Sequence, residues 1–135
     1  MPDSDDLALL IAAAHAAGEI ALRFWRKDHA TWDKDAGAGP VTEADLAVDA
    51  MLKTRLLAAR PDYGWLSEET PDTADRLGKS RTFIIDPIDG TRAFIDGTPD
   101  FAHSLAVSVD GQITAAVVFL PAQNRLYSAS TTGPA

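Results

Sequence analysis

The sequence IIDPIDGTRAFIDG, residues 84–97, joins an apolar run to two aspartates three positions apart, Asp86 and Asp89, which a Gly-Thr pair follows. No lysine or arginine lies between the two aspartates. Two neighbouring carboxylates at the end of an apolar strand repel each other unless a proton, a cation or backbone N–H groups stabilise them. The stretch therefore predicts a strand over residues 82–86, a short helical turn beyond it, and a charged site where the two meet.

The composition of the 135 residues is typical of one folded domain, because 46% of them are apolar. The chain has 12 basic and 20 acidic residues, a net charge of −8, and so lacks the basic face that binds a nucleic-acid polymer. It has no cysteine, which excludes disulfides and thiolate metal sites. The acidic start MPDSDD does not resemble a signal peptide, and no apolar run approaches the ~20 residues of a membrane span. We therefore expect a soluble cytoplasmic domain.

Two long helices are predicted in the first half of the chain. Apolar residues and alanine recur at helical spacing from about residue 4 to 27, and a loop rich in Gly and Ala follows over 33–40. A second helix is predicted over 41–62, where a proline ends it. Thr42 and Asp45 have the spacing of a capping box at its start.

The apolar residues change to a period of two after the second helix, which predicts strands. A tight hairpin is predicted at Asp110-Gly111, and residues 70–80 are a polar connection. The fold class is accordingly α+β, with the two helices packed on a largely antiparallel sheet. Two helices leave one face of such a sheet poorly covered. The predicted strands are residues 63–67, 82–86, 104–109, 113–120 and 125–130.

Several acidic residues are expected to meet at one edge of this sheet. Glu68 and Glu69 end one predicted strand, and Asp86 and Asp89 end the next. If these strands are neighbours, the carboxylates repel one another unless they are protonated or bridged by a cation. Oxygen ligands favour Mg²⁺, with Mn²⁺ or Ca²⁺ as alternatives. Asp-x-x-Asp before glycine is also common in ordinary turns, where Asp accepts from backbone N–H groups; the nearby Ser-Glu-Glu and Gly-Thr favour the metal site.

The residues after Asp89 add a place for an anion. Gly90 and Thr91 open the short helical turn, and N–H groups at the start of a helix bind phosphate. A cation site beside an anion-binding turn is the arrangement that phosphoryl transfer to water requires. His103 is the histidine closest to this motif, but the sequence pairs it with no nucleophile.

Three segments together resemble the inositol monophosphatase family of Mg²⁺-dependent, lithium-sensitive phosphatases, which includes 3′(2′),5′-bisphosphate nucleotidases and histidinol phosphatases. DPIDGT at 86–91 is similar to the family motif D-P-[IL]-D-G-T, WLSEET at 65–70 to its Glu-Glu segment, and PVTEADLAVD at 40–49 to its V-T-x-x-D helix start. The match covers the first half of a typical member. The resemblance implies that residues 1–135 form the N-terminal metal- and phosphate-binding domain of a layered αβαβα fold, with the C-terminal half outside this chain.

The resemblance also implies a metal centre with two or three Mg²⁺ ions in the complete fold, or Mn²⁺ in their place. Glu68 would bind the first ion and orient the attacking water. Asp86 would bridge two ions. The main-chain carbonyl of Ile88 would complete the coordination of one ion, and Asp89 would hold the other.

Further implied roles concern the substrate phosphate. Gly90 and Thr91 would donate backbone N–H groups to it, beside Asp89, and the Thr91 hydroxyl would activate the water. Asp45 would take part in catalysis by accepting a hydrogen bond from Thr91. Lys34, in the predicted loop, would lie near the phosphate or near a third, weaker ion.

The chain departs from the family pattern in one respect. The family takes a further aspartate from a W-x-D-like segment of its second half, and after residue 100 this sequence offers only Asp110, in a hairpin turn. Residues 1–135 alone are therefore expected to be incomplete as a phosphoric monoester hydrolase.

The expected substrate is a small phosphate ester of the inositol monophosphate type. The alternatives are 3′-phosphoadenosine 5′-phosphate and histidinol phosphate. An alternative of another class is a non-catalytic, metal-binding regulatory domain. No membrane partner is expected, and homodimer formation is left open.

Overall fold

The computed structural model describes residues 2–25, 31–33, 40–69 and 78–131. Its helices and strands form an α+β fold, as predicted. In chain order the elements are α1 (Pro2–Phe24), β1 (Thr31–Asp33), β2 (Pro40–Thr42), α2 (Glu43–Ala59), β3 (Gly64–Ser67), β4 (Arg81–Asp89), α3 (Thr91–Ile95), β5 (Ala102–Val109), β6 (Gln112–Leu120) and β7 (Arg125–Ser130).

The two long helices lie close to their predicted positions. Helix α1 starts at Pro2 and ends at Phe24, rather than covering residues 4–27. Proline suits the first turn of a helix, where its missing N–H is not needed, which allows the early start. Helix α2 lies inside the predicted range, and Thr42 and Asp45 form the predicted capping box at its start.

The predicted loop over residues 33–40 is wrong at both ends. Asp33 pairs with Pro40, and Thr31 with Thr42, so that β1 and β2 form a short antiparallel ribbon. Strands of three residues are too short to show an alternating pattern, which explains why the sequence did not reveal them. Residues 34–39, between the two strands, lie outside the described residues.

The main sheet of the described residues has five strands in the order β3-β4-β5-β6-β7. Strands β3 and β4 are parallel, and the remaining neighbours are antiparallel, as the largely antiparallel prediction requires. All five predicted strands are present. The hairpin between β5 and β6 turns at Asp110 and Gly111, whose φ angles of 51° and 84° are the left-handed values that a tight hairpin needs.

The helices cover one face of the sheet, and the strands alternate accordingly. Phe83 and Ile85 are buried in the core, whereas Ile84 between them is 37% exposed. On the other face Val118 is 38% exposed and Tyr127 is 57% exposed. This open face, which carries no helix from the described part of the chain, was expected from the number of helices.

Helix α1 is more apolar than the sequence reading allowed. The segment Asp6–Phe24 is long and apolar enough to cross a membrane by length and composition, so the expectation that no run approaches a span is wrong by this measure. In the structure one side of α1 packs in the core through Leu10, Ala13, Ala14, Ala17 and Ala21. A core helix passes the same test, and the packing of α1 explains its composition.

Candidate metal and phosphate site

The predicted acidic residues come together at one end of the sheet. Ser67 pairs with Ile85 on the parallel strands β3 and β4, so Glu68 and Asp86 follow directly after a matched pair. The Glu68 N–H donates to the Ile85 carbonyl oxygen at 3.2 Å, which continues the ladder by one residue. The carboxyl ends of the two strands therefore present Glu68 and Asp86 side by side along the backbone.

A β-bulge separates Asp86 from Asp89. Asp86 pairs with Ser104 on β5 and Asp89 pairs with Ala102, so Pro87 and Ile88 together face a single residue, His103. Strand β4 thus extends to Asp89, three residues beyond the predicted end at Asp86. Proline has no N–H for the ladder, and a bulge is one of the places where a sheet accommodates it.

Gly90 is required by the turn that follows. Its φ is +89°, a left-handed value that favours glycine. A Cβ atom at this position would lie 2.9 Å from the carbonyl oxygen of Asp100, closer than real Cβ contacts. The chain then enters α3, which is five residues long, so any phosphate bound here would depend on individual N–H groups rather than on a long helix dipole.

The Thr91 hydroxyl connects this turn to helix α2. Its oxygen lies 3.0 Å from Asp45 Oδ1 and 3.1 Å from the Ile88 carbonyl oxygen. Asp45 is 1% exposed, and its other oxygen, Oδ2, accepts from the Thr42 N–H at 2.9 Å and from the Thr42 hydroxyl at 2.7 Å. The capping box therefore holds the Asp45 carboxylate in place through Oδ2 and leaves Oδ1 to accept from Thr91.

A second buried aspartate of α2, Asp49, contacts the residue before Glu68, and it was not among the predicted site residues. The Ser67 hydroxyl donates to Asp49 Oδ1 and accepts from the Glu69 N–H at 3.2 Å. Asp49 and Ser67 are each 7% exposed. The signal was present, because Asp49 lies four residues after Asp45 on the buried stripe of α2.

The carboxylates are adjacent along the backbone but are not gathered into a cluster. Among residues 2–25, 31–33, 40–69 and 78–131, no three His, Cys, Asp or Glu side chains lie close enough together to hold a metal ion. The backbone of these acidic residues is thus close together at one edge of the sheet, as expected, but their carboxylate groups are not. Glu68 and Asp89 are exposed, and like charges repel, so separation is the favoured arrangement of the chain by itself.

The atoms at this end of the sheet fit a hard cation. The donors are carboxylate oxygens of Glu68, Asp86 and Asp89 and the Ile88 carbonyl oxygen, and Mg²⁺ prefers such oxygen ligands. The Ile88 carbonyl oxygen has two lone pairs, and the Thr91 hydroxyl, 3.1 Å away, can occupy only one of them. The chemistry of the residues therefore agrees with the predicted magnesium site.

His103 is buried directly behind the bulge. Its side chain is 0% exposed, and Nδ1 lies 2.5 Å from the carbonyl oxygen of Pro87. Burial lowers the pKa of His103 to about 4, and the contact with the Pro87 carbonyl opposes this shift only in part. The ring is therefore neutral near pH 7, with its hydrogen on Nδ1, where it donates to Pro87.

Two other residues named from the sequence are Lys34 and Asp110. Lys34 lies outside the described residues. Asp110 lies at the opposite end of the sheet, because Arg81 pairs with Val109 there while Asp89 pairs with Ala102 at the site. Asp110 is therefore no substitute for a further metal ligand.

Comparisons with known proteins identify the family of the chain. The sequence model of the inositol monophosphatase family matches residues 3–135. The chain belongs to the inositol monophosphatase family. A Thermotoga maritima IMPase structure superposes with a TM-score of 0.86 at 30% identity, over 94% of this chain and 48% of that one.

Relatives within the family carry different names. Inositol-1-monophosphatase of Rhizobium meliloti is 36% identical over 130 residues, 96% of this chain and 48% of the relative. Histidinol-phosphatase of Chlorobaculum parvum is 35% identical over 124 residues, 92% and 47% of the two chains. 3′-Phosphoadenosine 5′-phosphate phosphatase of Mycobacterium leprae is 38% identical over 137 aligned positions, 93% and 49% of the two chains. The chain spans about half the length of the curated relatives it matches.

Proposed function

We propose that the protein is a Mg²⁺-dependent phosphomonoesterase that hydrolyses a small phosphorylated metabolite by direct attack of water. The observation that carries this proposal is the position of the Thr91 hydroxyl. It lies between the buried Asp45 carboxylate, at 3.0 Å, and the Ile88 carbonyl, at 3.1 Å, immediately after the Asp86–Asp89 segment. A hydroxyl held in this way can accept a proton from a water molecule beside the proposed metal ligands.

The proton path follows from the number of hydrogens available. Thr91 has one hydroxyl hydrogen and cannot donate to Asp45 and to Ile88 at the same time. When the Ile88 carbonyl serves as a metal ligand, this hydrogen is committed to Asp45 Oδ1. The Thr91 oxygen then presents its lone pairs to the attacking water and accepts a proton from it as Asp45 takes up the Thr91 hydrogen.

The proposed ligands are Glu68, Asp86, Asp89 and the Ile88 carbonyl. A bound Mg²⁺ would polarise the phosphoryl oxygens and lower the pKa of a coordinated water. Gly90 and Thr91 would donate their N–H groups to the substrate phosphate and hold the phosphorus in line with the water. Asp49 and Ser67 would keep the backbone at Glu68 in position, since the Ser67 hydroxyl contacts both Asp49 and the Glu69 N–H.

For the substrate, we propose an inositol monophosphate first and 3′-phosphoadenosine 5′-phosphate second. Inositol-1-monophosphatase and 3′-phosphoadenosine 5′-phosphate phosphatase are names of relatives at 36% and 38% identity. Histidinol phosphate is the third candidate, from a relative at 35% identity. We also propose a cytoplasmic location, since the absence of cysteine is compatible with a reducing compartment.

The test uses the protein expressed from its complete reading frame. Phosphate release from inositol 1-phosphate, 3′-phosphoadenosine 5′-phosphate and histidinol phosphate is measured with Mg²⁺ and with a chelator. We expect one of the first two substrates to be clearly preferred and the chelator to abolish the activity. Equal and feeble rates on all three, unchanged by the chelator, would instead favour a non-catalytic, metal-binding regulatory domain.

The same assay tests the metal ligands through Asp86→Asn. Loss of a bridging carboxylate should lower kcat/KM by more than about 100-fold, because even residues that only orient metal ligands contribute about 10–100-fold. Asp110→Asn is the matched control: it makes the same substitution at the opposite end of the sheet, in a left-handed turn residue that Asn tolerates. Similar activity of both variants would refute the role of Asp86.

A further inference from the structure

His103 occupies a position that the strand pattern assigns to the core. On β5 the buried residues Leu105 and Val107 alternate with partly exposed neighbours, and His103 continues this buried series. Its Nε2 atom is buried and has no hydrogen-bond partner among the described residues. The Phe119 ring lies beside it, with a centroid distance of 6.4 Å. A leucine would suit these surroundings better, so packing alone does not account for a histidine here.

Within the described part of the chain, the His103 ring makes its polar contact with the bulge. Nδ1 donates to the carbonyl oxygen of Pro87, the residue between Asp86 and Ile88. A bulge interrupts the ladder and leaves backbone groups without their usual strand partner. The imidazole N–H therefore supplies, from a side chain, a hydrogen bond to the backbone at the point where the register between β4 and β5 shifts. It fixes the orientation of the Pro87 peptide group.

The Pro87 peptide group is joined directly to the proposed metal ligands. Asp86 precedes Pro87, and Ile88 and Asp89 follow it. The Pro87 carbonyl belongs to the peptide unit that links Pro87 to Ile88. A change in its orientation would alter the backbone angles at Pro87 and Ile88, and with them the position of the Ile88 carbonyl relative to Asp86. Groups that orient metal ligands through hydrogen bonds typically change metal affinity or activity by about 10–100-fold.

We propose that His103 is a positioning residue for the metal site, which acts by holding the Pro87 carbonyl and thereby the ligand-bearing bulge from Asp86 to Asp89. This inference rests on the proposed function in one respect, the assignment of Asp86, Ile88 and Asp89 as ligands. The burial of the ring agrees with it, because a side chain that is fully enclosed in the core keeps Nδ1 next to the Pro87 carbonyl.

The test compares His103→Asn with His103→Leu. Both side chains branch at Cγ and have nearly the same shape, but the Asn amide can donate from the position of Nδ1 and Leu cannot. If His103 only fills the core, Leu should be the better replacement. If His103 positions the bulge, Asn should be the better replacement for metal binding, even though Leu gives the more stable protein.

Two readouts are taken on the protein from its complete reading frame. Mn²⁺ affinity is measured by electron paramagnetic resonance of the free ion, and we expect Leu to weaken it about tenfold more than Asn. Hydrogen exchange of the Ile88 and Asp89 amides is measured without metal, and we expect it to be about tenfold faster in Leu than in Asn. Urea unfolding of both variants should show the opposite order, with Leu the more stable.

The outcomes separate this inference from the proposed function. If His103→Leu binds Mn²⁺ as tightly as His103→Asn does, or more tightly, the role of His103 is overturned. Phosphate release by the wild-type protein would in that case still support the proposed phosphatase. Mn²⁺ binding without phosphate release in wild type would refute the phosphatase and leave the His103 comparison valid. If His103→Asn does not fold, the test compares His103→Leu with wild type. A change of less than about threefold in both Mn²⁺ affinity and amide exchange would then overturn the proposal.

Discussion

Replacing Gly90 with alanine should disturb the site more than the same change at Gly111 or at Gly78. Gly90 has a φ of +89°, and an added Cβ would lie 2.9 Å from the Asp100 carbonyl oxygen and 3.4 Å from the Phe101 Cα. Gly111 has a similar φ of +84° and nothing within 4 Å of the added atom. Alanine would therefore have the same backbone strain at both positions, but only at Gly90 would its Cβ clash with neighbouring backbone atoms.

The expected free energies follow from these terms. Alanine in the left-handed region costs about 1–2 kcal/mol. The loss of chain entropy in the unfolded state offsets this by about 0.4–1 kcal/mol. Gly111→Ala should therefore destabilise by about 0–1.6 kcal/mol. Gly90→Ala adds a clash with backbone, which costs about 1–3 kcal/mol when a packed structure must shift. Gly78→Ala, with open space and no positive φ, should be neutral or slightly stabilising.

The assay is urea unfolding of the three variants beside wild type, with the m-value checked to be constant. Phosphate release by the protein from its complete reading frame gives the functional effect. Because Gly90 lies between Asp89 and Thr91, a backbone shift should reduce kcat in Gly90→Ala by about 10-fold or more, toward the loss of about 10² that a 1 Å misplacement causes. Gly111→Ala should keep its activity.

Two results would refute this reasoning. Equal destabilisation by Gly90→Ala and Gly111→Ala would show that the backbone at Asp100 does not approach Gly90 as described. A destabilised Gly90→Ala with unchanged turnover would show that the Asp89–Thr91 segment does not carry the site.

Three further predictions concern the site and the chain. Thr91→Val should lower kcat by about 10²–10⁴-fold with little change in KM, since the proposed role is proton transfer. The control is Thr98→Val, at an exposed position. A change in KM alone would contradict the role of Thr91. The pKa of His103 is lowered to about 4 in the folded state, so the unfolded chain binds a proton first as the pH falls. The free energy of unfolding should therefore decrease by up to about 3 kcal/mol between about pH 6.5 and pH 4. In His103→Leu, the urea midpoint should not show this part of the pH dependence. Residues 1–135 alone should bind Mg²⁺ at millimolar concentration at best and hydrolyse phosphomonoesters negligibly, and robust turnover would disprove this.

Local interactions made much of this protein predictable from its sequence. The capping box at Thr42 and Asp45 spans three positions, and the hairpin at Asp110-Gly111 spans two, so each depends on residues that are adjacent in the chain. Alternation within a strand is likewise local, which is why all five strands of the main sheet were predicted. The DPIDGT segment indicated the charged site for the same reason, since its carboxylates and its Gly-Thr are contiguous.

The tertiary structure decided what depends on residues far apart in the chain. Ser67 meets Asp49 across 18 positions, Thr91 meets Asp45 across 46, and His103 meets the Pro87 carbonyl across 16. The bulge at Pro87 exists only because β5 pairs on both sides of it. No local pattern specifies such contacts, because they arise when α2, β4 and β5 pack together. The sequence by itself therefore predicted which residues would carry the chemistry, and the packing decided which side chains contact them.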